Sequence, residues 1–235
     1  MNIEGWLTDA QAQVLSNRAR ELTAPDQIVE IGSYRGRSAV VLATAAQEGV
    51  GVVAIDPHAG NDRGPQQIRG SAADGQRDHE AFMRNLDRAG VRGRVRHVRL
   101  GSQEALSEVD GMAGVVYVDG AHRYAPARAD IERWGARVRP GGTLLIHDAF
   151  SSIGVTLAIA RVLLMGGEFR YVGRTGSLAE YLKLPVRRSA RAANALRQAA
   201  QLPWFVRNIL VKVALLARLR PLARLLGHRG GDWPY

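Results

Sequence analysis

Two hydrophobic segments of this 235-residue sequence end in side chains that can bind metal ions or move protons. The stretch VVYVDGAHRY contains Asp119 and His122, and the stretch TLLIHDAF contains His147 and Asp148. Two carboxylates with an imidazole can hold a hard or borderline divalent ion such as Mg²⁺ or Mn²⁺. Such an ion lowers the pKa of a bound hydroxyl, and a nearby histidine can take the proton.

Strands and helices alternate along the chain, and they must bring these four side chains together. The predicted strands are residues 28–32, 50–56, 95–100, 114–119 and 142–148, followed by the segments EFRYV and SLAEYLKL. Several of these are continuous apolar runs, which is typical of parallel strands covered on both faces. Right-handed crossovers then give an α/β fold with a doubly wound, mostly parallel seven-stranded sheet. In such sheets ligands bind at the carboxyl ends of the strands.

Capping and stop residues in the sequence mark the helices. Thr8 and Gln11 form a capping-box pattern, so a helix is expected to run from there to about Leu22, before Pro25. Further helices are predicted over residues 38–47, 78–90, 103–109, 127–138 and 153–165. Residues 57–77 are too long for a simple connection and are interpreted as a lid over an acceptor. The arginines of this predicted lid that could meet a polar or anionic group are Arg63, Arg69 and Arg77.

Composition narrows the class of protein. The sequence contains no cysteine, which excludes disulfides and thiolate metal sites and fits a reducing cytoplasm. The start, MNIEGWLTDAQ, has neither a basic n-region nor an apolar h-region, so we expect no signal peptide. A run of about 18 uncharged apolar residues is also missing from the sequence, which argues against a membrane-spanning helix. The length suits one α/β domain with an appendage.

The turn after the first strand, IVEIGSYRGRS, is built for a ligand. Gly32 and Gly36 flank it, and glycine lets a backbone approach a ligand closely. Position 34 is Tyr34, so this is not the phosphate fingerprint G-x-G-x-x-G. Glu30 precedes the glycines, and a carboxylate there suits a cationic ligand better than a pyrophosphate. Asp56 ends the second strand, where an acid typically binds a ribose diol.

Four motifs together carry a family resemblance. EIGSYRGRS, VVAID, GSQEAL and VRPGGTLLIHD, in this order, resemble the S-adenosyl-L-methionine sites of class I methyltransferases over roughly residues 5–183. The resemblance implies that Glu30, Gly32 and Ser33 hold the methionine part, that Asp56 holds the ribose and that Ser102 lies near the adenine. The full set of cofactor-binding residues implied is Glu30, Gly32, Ser33, Gly36, Ser38, Asp56, Ser102 and Asp119.

A finer resemblance concerns D-G-A-H-x-Y followed by H-D. This pattern is similar to that of metal-dependent sugar O-methyltransferases of the macrocin and mycinamicin type. The resemblance implies that Asp119 and Asp148 bind the metal and that His122 is the base. That group commonly has an acid where this chain has His147, which becomes the third candidate ligand. Catechol-type methyltransferases usually end the second motif in Asp-Asn, whereas Ala149 follows here.

Several functions compete on this evidence. The first is metal-assisted O-methylation of a sugar hydroxyl, in a small-molecule or lipid-linked acceptor, and the second is O-methylation of a phenolic or polyketide hydroxyl. Aromatic and apolar pocket walls would favour a flat ring, whereas Asp, Asn, Arg and Trp would favour a sugar. A third function is an NAD-type oxidoreductase, and a fourth is a non-catalytic membrane-binding scaffold. His58 and His79 are expected to be solvated, and His97 to be an ordinary strand residue.

The C-terminal segment, residues 184–235, differs from the preceding domain, residues 1–183. Arginines and acidic residues balance over residues 1–182, so the net charge of +10 lies in residues 183–235, which are Lys183 and this basic tail. After Pro203, a predicted helix has one apolar side, formed by Phe205, Val206, Ile209, Leu210, Val213 and Leu216, with Arg207, Asn208, Lys212 and Arg218 opposite.

Basic amphipathic helices suit anionic membrane surfaces. We therefore expect residues 187–229 to bind one, at the inner face of the cytoplasmic membrane. A homodimer contact and packing against the body are the alternatives. Nucleic acid is not expected as a partner, because stacking aromatics are few and no nucleic-acid module is visible.

Overall fold

The computed structural model describes residues 3–62 and 69–228, and a seven-stranded sheet forms the centre of this part of the chain. Its order is β3-β2-β1-β4-β5-β7-β6. The strands are β1 (Gln27–Ile31), β2 (Gly51–Ile55), β3 (Val95–Val98), β4 (Ala113–Val118), β5 (Val138–Ile146), β6 (Phe169–Thr175) and β7 (Leu178–Lys183). The first five are parallel, and β7 is antiparallel to both β5 and β6. The doubly wound, mostly parallel sheet predicted from the sequence is confirmed.

Helices cover both faces of the sheet. Those of the body are α1 (Asp9–Arg20), α2 (Arg37–Ala45), α3 (Ala72–Arg88), α4 (Tyr124–Ala136) and α5 (Ile153–Val162). Successive residues of β1 point to opposite faces, so Ile28 packs with α1, α2 and α3, whereas Val29 packs with α4 and α5. Both faces of the central strands are therefore buried, as their continuous apolar sequences indicate. The capping box of Thr8 and Gln11 is present at the start of α1.

The third helix begins earlier than predicted. The sequence placed its start at residue 78, but α3 begins at Ala72 and takes in the last six residues of the predicted lid. The glycine in its first turn, Gly75, misled the prediction, because glycine disfavours helix interiors. It is required there, since a Cβ at Gly75 would lie 1.9 Å from the carbonyl oxygen of His58. Arg63 of the predicted lid lies outside the described residues.

Three helices follow the sheet. They are α6 (Arg188–Ala199), α7 (Leu202–Leu216) and α8 (Arg220–Leu225). The Asn194 side chain accepts from the Tyr171 N–H at 2.9 Å and donates to the Phe169 carbonyl at 3.1 Å. Those backbone groups belong to β6, the last strand of the sheet, so α6 supplies the partners that a further strand would supply.

The seventh helix turns its polar side towards the body. Asn208 donates to the Phe150 carbonyl, Lys212 donates to the Ser151 carbonyl at 2.9 Å, and Val211 is fully buried. Part of the predicted amphipathic segment therefore packs against the body. Residues Arg188–Leu216 are also long and apolar enough to cross a membrane by length and composition, with a window of mean hydropathy 1.3.

Candidate functional site

The carboxyl ends of β1, β2, β4 and β5 surround a cavity of about 250 Å³. Seven of the residues predicted from the sequence line it: Gly32, Asp56, Ser102, Asp119, His122, His147 and Asp148. They come from parts of the chain more than 100 positions apart. Their convergence follows from the parallel sheet, because the loops after parallel strands meet at one edge.

The loops after β1 and β4 approach each other closely at Gly32. This residue has a φ of +85°, and a Cβ there would lie 2.1 Å from the carbonyl oxygen of Asp119. No other residue type fits this position without moving the backbone. The glycine predicted from the motif therefore also sets the distance between the cofactor loop and Asp119.

Glu30 lies beneath the cavity rather than in its wall. It is fully buried, and its carboxylate accepts from the Ser33 hydroxyl at 2.7 Å. Burial raises the pKa of Glu30 to about 7, although the hydroxyls of Ser38 and Ser33 oppose this effect. These three residues, together with Gly36, are not among the cavity-lining residues. They shape the loop, and their direct contact with a cofactor stays a prediction.

Asp56 holds the same loop from the neighbouring strand. One carboxylate oxygen accepts from the Ser33 and Tyr34 backbone amides, at 2.9 and 2.8 Å, and the other accepts from the His58 amide at 2.7 Å. A carboxylate offers about four acceptor positions, so roughly one remains for a ligand. Asp56 lines the cavity, and a ribose would meet a carboxylate that is already fixed in place.

Asp130 is a site residue that the sequence analysis missed. It lies on α4, is 2% exposed and lines the cavity. Its Oδ1 accepts from the Ser102 hydroxyl and, at 2.6 Å, from the Gln103 amide. Burial raises the pKa of Asp130, while these two hydrogen bonds lower it. An acid four positions before the buried Trp134, on the same helical face, was the signal that could have identified it.

The four side chains of the opening motifs form one cluster. The His147 Nδ1 lies 3.0 Å from Asp119 Oδ1 and 3.8 Å from Asp148 Oδ1. The Tyr117 hydroxyl donates to the other Asp119 oxygen at 2.8 Å. His122 Nε2 contacts Asp148 Oδ2. We call Asp119, His122, His147 and Asp148 the Asp-His tetrad.

Charge is balanced within the tetrad. Burial alone would lower the pKa of His147, but the carboxylates of Asp119 and Asp148 outweigh it and raise that pKa to about 9. Burial would raise the pKa of Asp148, yet His147, His122 and Lys212 hold it at about 2. Burial would lower the pKa of His122, but the hydrogen bond to Asp148 and the charges of Asp148 and Asp119 together outweigh it, so that pKa is raised too. The raised pKa favours the protonated form of His147, which lies between two carboxylates.

Backbone strain gathers around the cavity. Asp148 has a φ of +55°, and three further lining residues, Tyr34, His58 and Asp62, have φ values between +44° and +51°. Such conformations are uncommon outside glycine and concentrate at functional sites. In Asp148, the left-handed backbone follows directly on His147 at the end of β5.

Comparison with known proteins agrees with this geometry. Residues 29–149, slightly more than half of the chain and most of the cavity wall, match a family model described as a methyltransferase domain. The chain belongs to this methyltransferase family. The NAD-type oxidoreductase considered above is therefore not supported.

Solved structures resemble the methyltransferase at the level of the fold. Cofactor-bound Rv0187 from MTB is 21% identical, with a TM-score of 0.58, over 76% of this chain and 81% of that chain. The O-methyltransferase TomG from Streptomyces achromogenes, in complex with SAM, is 20% identical, with a TM-score of 0.54, over 77% and 82%. An O-methyltransferase from Bacillus cereus in complex with SAH is 17% identical, with a TM-score of 0.51, over 74% and 80%.

The predicted metal ligands Asp119 and Asp148 both face His147, the third predicted ligand. His147 stands between Asp119 and Asp148 as a cation, so an ion would have to displace its proton. Among the described residues, the group of at least three possible ligands that lies within 4.8 Å is elsewhere, at His58, His79 and His97. The divalent ion at the tetrad stays a prediction, and we assign no step to it.

The mouth of the cavity carries both aromatic and charged groups. The Trp6 and Tyr34 rings are in contact, with centroids 5.2 Å apart, and both residues line the cavity of the methyltransferase. Arg123 pairs with Asp62 at 2.9 Å, which ties the loop after β2 to the start of α4. Its partner Asp62 belongs to the predicted lid. Closure of that segment over an acceptor stays a prediction.

Proposed function

We propose that this methyltransferase moves a methyl group from S-adenosyl-L-methionine to a hydroxyl of a sugar. The observation that supports this proposal most is the pair of His122 and Asp148 at the wall of a cavity that several aspartates line. The histidine can accept a hydroxyl proton, and the aspartate can hold it in place. Similar folds belong to O-methyltransferases described in complex with SAM or SAH, which supports the choice of cofactor.

The cavity suits a cationic cofactor and a polar acceptor. Six aspartates line it: Asp56, Asp62, Asp78, Asp119, Asp130 and Asp148. Asn61 and Trp6, which could also bind a sugar, lie in the same wall. Arginine and lysine are not among the lining residues that the structure describes. A sulfonium and an amino group are favoured by such surroundings. Carboxylates and an amide can also accept from several hydroxyls, whereas a phenolic ring would gain little from them.

The proton movement follows from the tetrad. S-adenosyl-L-methionine, when bound, would supply an electrophilic methyl group: the acceptor oxygen would bond to its carbon while the carbon–sulfur bond breaks, and S-adenosyl-L-homocysteine would leave. The Asp148 carboxylate can only accept, so neutral His122 carries its proton on Nε2 and donates it to Asp148. The lone pair of the His122 ring is then on Nδ1. That nitrogen takes the proton of the hydroxyl. Asp148 then stabilises the imidazolium, as in other His-Asp pairs, while His147 keeps the neighbouring carboxylates neutralised.

The test uses labelled S-adenosyl-L-methionine and two acceptor panels, glycosides and catechols, with the purified full chain. We expect transfer to a glycoside. His122→Ala should lower kcat by roughly 10²- to 10⁴-fold, as expected for loss of a general base. His228→Ala, a histidine in the tail, is the matched control and should keep full activity. Transfer only to the catechols, or equal activity of the His122 variant, would contradict the proposal.

The pH dependence gives a second test of the same pair. Because the pKa of His122 is raised and the base must be neutral, kcat should rise with pH through a value above the usual 6.5 of histidine. Asp148→Asn removes the charge that raises this pKa, so the rising limb should move to lower pH. A limb that does not move would exclude Asp148 as the partner that tunes His122.

Chelation tests the ion expected from the sequence. We expect full activity in EDTA, because a protonated His147 would already neutralise the two carboxylates. Loss of activity in EDTA and its recovery with Mg²⁺ would instead restore the predicted ligands Asp119, His147 and Asp148. The glycoside assay serves for both outcomes.

We also propose that the tail binds an anionic membrane surface. Exposed apolar side chains at Leu202, Val206, Leu210 and Val213 form one face of α7, opposite the side that contacts the body. Exposed Arg218, Arg220 and Arg224 follow it. The apolar helix α7 alone has 15 residues and is about 22 Å long, shorter than the roughly 30 Å of hydrocarbon in a bilayer, and within the longer stretch Arg188–Leu216 the side chains of Asn208 and Lys212 contact the body. The helix therefore suits the surface better than a transmembrane position.

The membrane proposal implies an acceptor in a lipid-linked sugar at the inner membrane face. Val206→Gln, Leu210→Gln and Val213→Gln, combined, should abolish sedimentation with vesicles containing phosphatidylserine. Val172→Gln, another exposed apolar residue, is the control. Unchanged sedimentation of the triple variant would contradict the proposal. A wild-type dimer that ignores vesicles and dissociates in this variant would assign the same face to a second copy of the chain.

A further inference from the structure

Three histidines outside the tetrad meet behind the wall of the cavity. His58 follows β2, His79 lies on α3, and His97 lies on β3. One ligand nitrogen from each lies within 4.8 Å of the other two, and the ring centroids are 5.0 to 5.2 Å apart. His58 was expected to be solvated, but it is buried, with 5% of its surface exposed. We call these residues the three-histidine cluster.

Backbone carbonyls orient two of the rings. The His58 Nε2 lies 2.7 Å from the Tyr34 carbonyl oxygen, and the His97 Nε2 lies 3.3 Å from that of Asp56. A carbonyl only accepts, so each Nε2 carries the proton and each Nδ1 carries a lone pair. Histidines that bind metals are usually oriented in this way, by a carbonyl or carboxylate on the other ring nitrogen.

Packing alone does not account for the cluster. The Nδ1 atoms of His58 and His79 are buried and have no hydrogen-bond partner. Unpaired buried acceptors are rare, because their desolvation is not compensated. Apolar rings would fill the same space without that cost, as Phe82 does beside His58 and His97. Lone pairs that converge without donors are the arrangement that a cation would complete.

We infer that His58, His79 and His97 bind a divalent first-row transition ion, such as Zn²⁺. Three imidazoles without thiolates suit Zn²⁺, and water can take the fourth position. Zn–N bonds of about 2.0–2.1 Å place tetrahedral nitrogens about 3.3 Å apart, so the three must close by at most about 1.5 Å. His79 and His97 are only partly buried and can move towards His58.

The ion would fix one wall of the cavity. It would join α3 to β3 and to the loop after β2, whose His58 amide donates to Asp56 Oδ1 at 2.7 Å. Asp56 in turn holds the loop after β1. The site would therefore be structural, and separate from the tetrad. The inference does not depend on methyl transfer, and its test needs no acceptor.

The experiment uses the full chain without an affinity tag, treated with chelator and then titrated with Co²⁺ and Zn²⁺. Co²⁺ should give visible absorption bands of a four-coordinate site, and Zn²⁺ should displace them. Zn²⁺ at about 100 times its Kd should raise the Tm by roughly 5–10 °C. Mg²⁺ should do neither, because it prefers oxygen ligands.

Variants separate ligation from packing. His79→Phe keeps an aromatic ring but cannot bind the ion, so both the Co²⁺ bands and the Zn²⁺ shift should vanish. His97→Ala is the second variant, in case one of them folds poorly. His228→Ala and Asp148→Asn lie outside the cluster and should keep both the Co²⁺ bands and the Zn²⁺ shift, although Asp148→Asn changes the stability of the metal-free protein. Absence of the bands in the wild type, their survival in His79→Phe, or their loss in Asp148→Asn would overturn the inference.

Discussion

The protonated state of His147 makes a quantitative prediction for the stability of the fold. Its pKa is about 9 in the folded protein, against 6.5 for an ordinary histidine. A folded-state pKa above the unfolded one means that folding is favoured while the group is protonated. This contribution is complete below pH 6.5, and it is lost as the pH rises through 9.

The size of the effect follows from that difference. A shift of one pKa unit corresponds to about 1.4 kcal/mol, so about 2.5 units correspond to roughly 3 kcal/mol. His147→Gln removes the imidazolium and leaves Asp119 and Asp148 without their cation. Near pH 6, the free energy of unfolding of the wild type should therefore exceed that of this variant by the full amount of roughly 3 kcal/mol. The difference should decline by about 1.4 kcal/mol for each pH unit and disappear near pH 9.

Guanidinium unfolding of both proteins from pH 6 to pH 9.5 measures this difference. Subtracting the free energy of unfolding of the variant from that of the wild type cancels the contributions of groups that titrate equally in both proteins. Asp148→Asn serves as a second comparison, because it should lower the pKa of His147 and flatten the profile. A difference that stays constant from pH 6 to pH 9 would show that His147 is neutral, and the charge balance of the tetrad would have to be rejected.

Two further substitutions test the positions that build the site and close the sheet. Gly32→Ala places a Cβ 2.1 Å from the Asp119 carbonyl oxygen at a φ of +85°, so unfolding measurements should show a loss of more than about 2 kcal/mol, with weaker cofactor binding. Gly51→Ala, with open space around it, should change little, and equal stability of the two variants would contradict this reasoning. Asn194→Ala leaves two backbone groups of β6 unpaired and should cost about 2–4 kcal/mol in the same assay. A loss below 0.5 kcal/mol would mean that water replaces the Asn194 side chain.

The sheet and the position of the cavity could be predicted because their signals are local. Continuous apolar runs identify buried parallel strands, and acids or glycines directly after them identify the edge where ligands bind. Asp56, Asp119 and Asp148 each follow such a run within two residues, and all three line the cavity. The order of the strands then follows from the crossover rule and from the family pattern.

What the sequence could not show depends on contacts between distant segments. His58, His79 and His97 are separated by about 20 positions each, and only the packing of α3 against β2 and β3 brings them together. The direction of the Glu30 side chain could not be predicted either. The alternation of side chains along β1 places it beneath the loop rather than in the cavity. Asp130 was missed for the same reason, because its contacts with Ser102 and Gln103 join α4 to the loop after β3.

His147 is the residue at which this sequence departs from the family pattern, and it also sets the charge balance of the tetrad. The sugar O-methyltransferases that the motif resembles commonly have an acid at this position, and an acid would put three carboxylates where the structure has two carboxylates and an imidazolium. Three clustered carboxylates, two of them buried, require a cation. We therefore expect His147→Asp to make stability depend on Mg²⁺: the variant should unfold more readily in EDTA, and Mg²⁺ should raise its Tm by several degrees, with no effect on the wild type. Differential scanning calorimetry with and without Mg²⁺ measures both proteins. If Mg²⁺ stabilises the wild type equally, His147 does not replace a metal ion at this site.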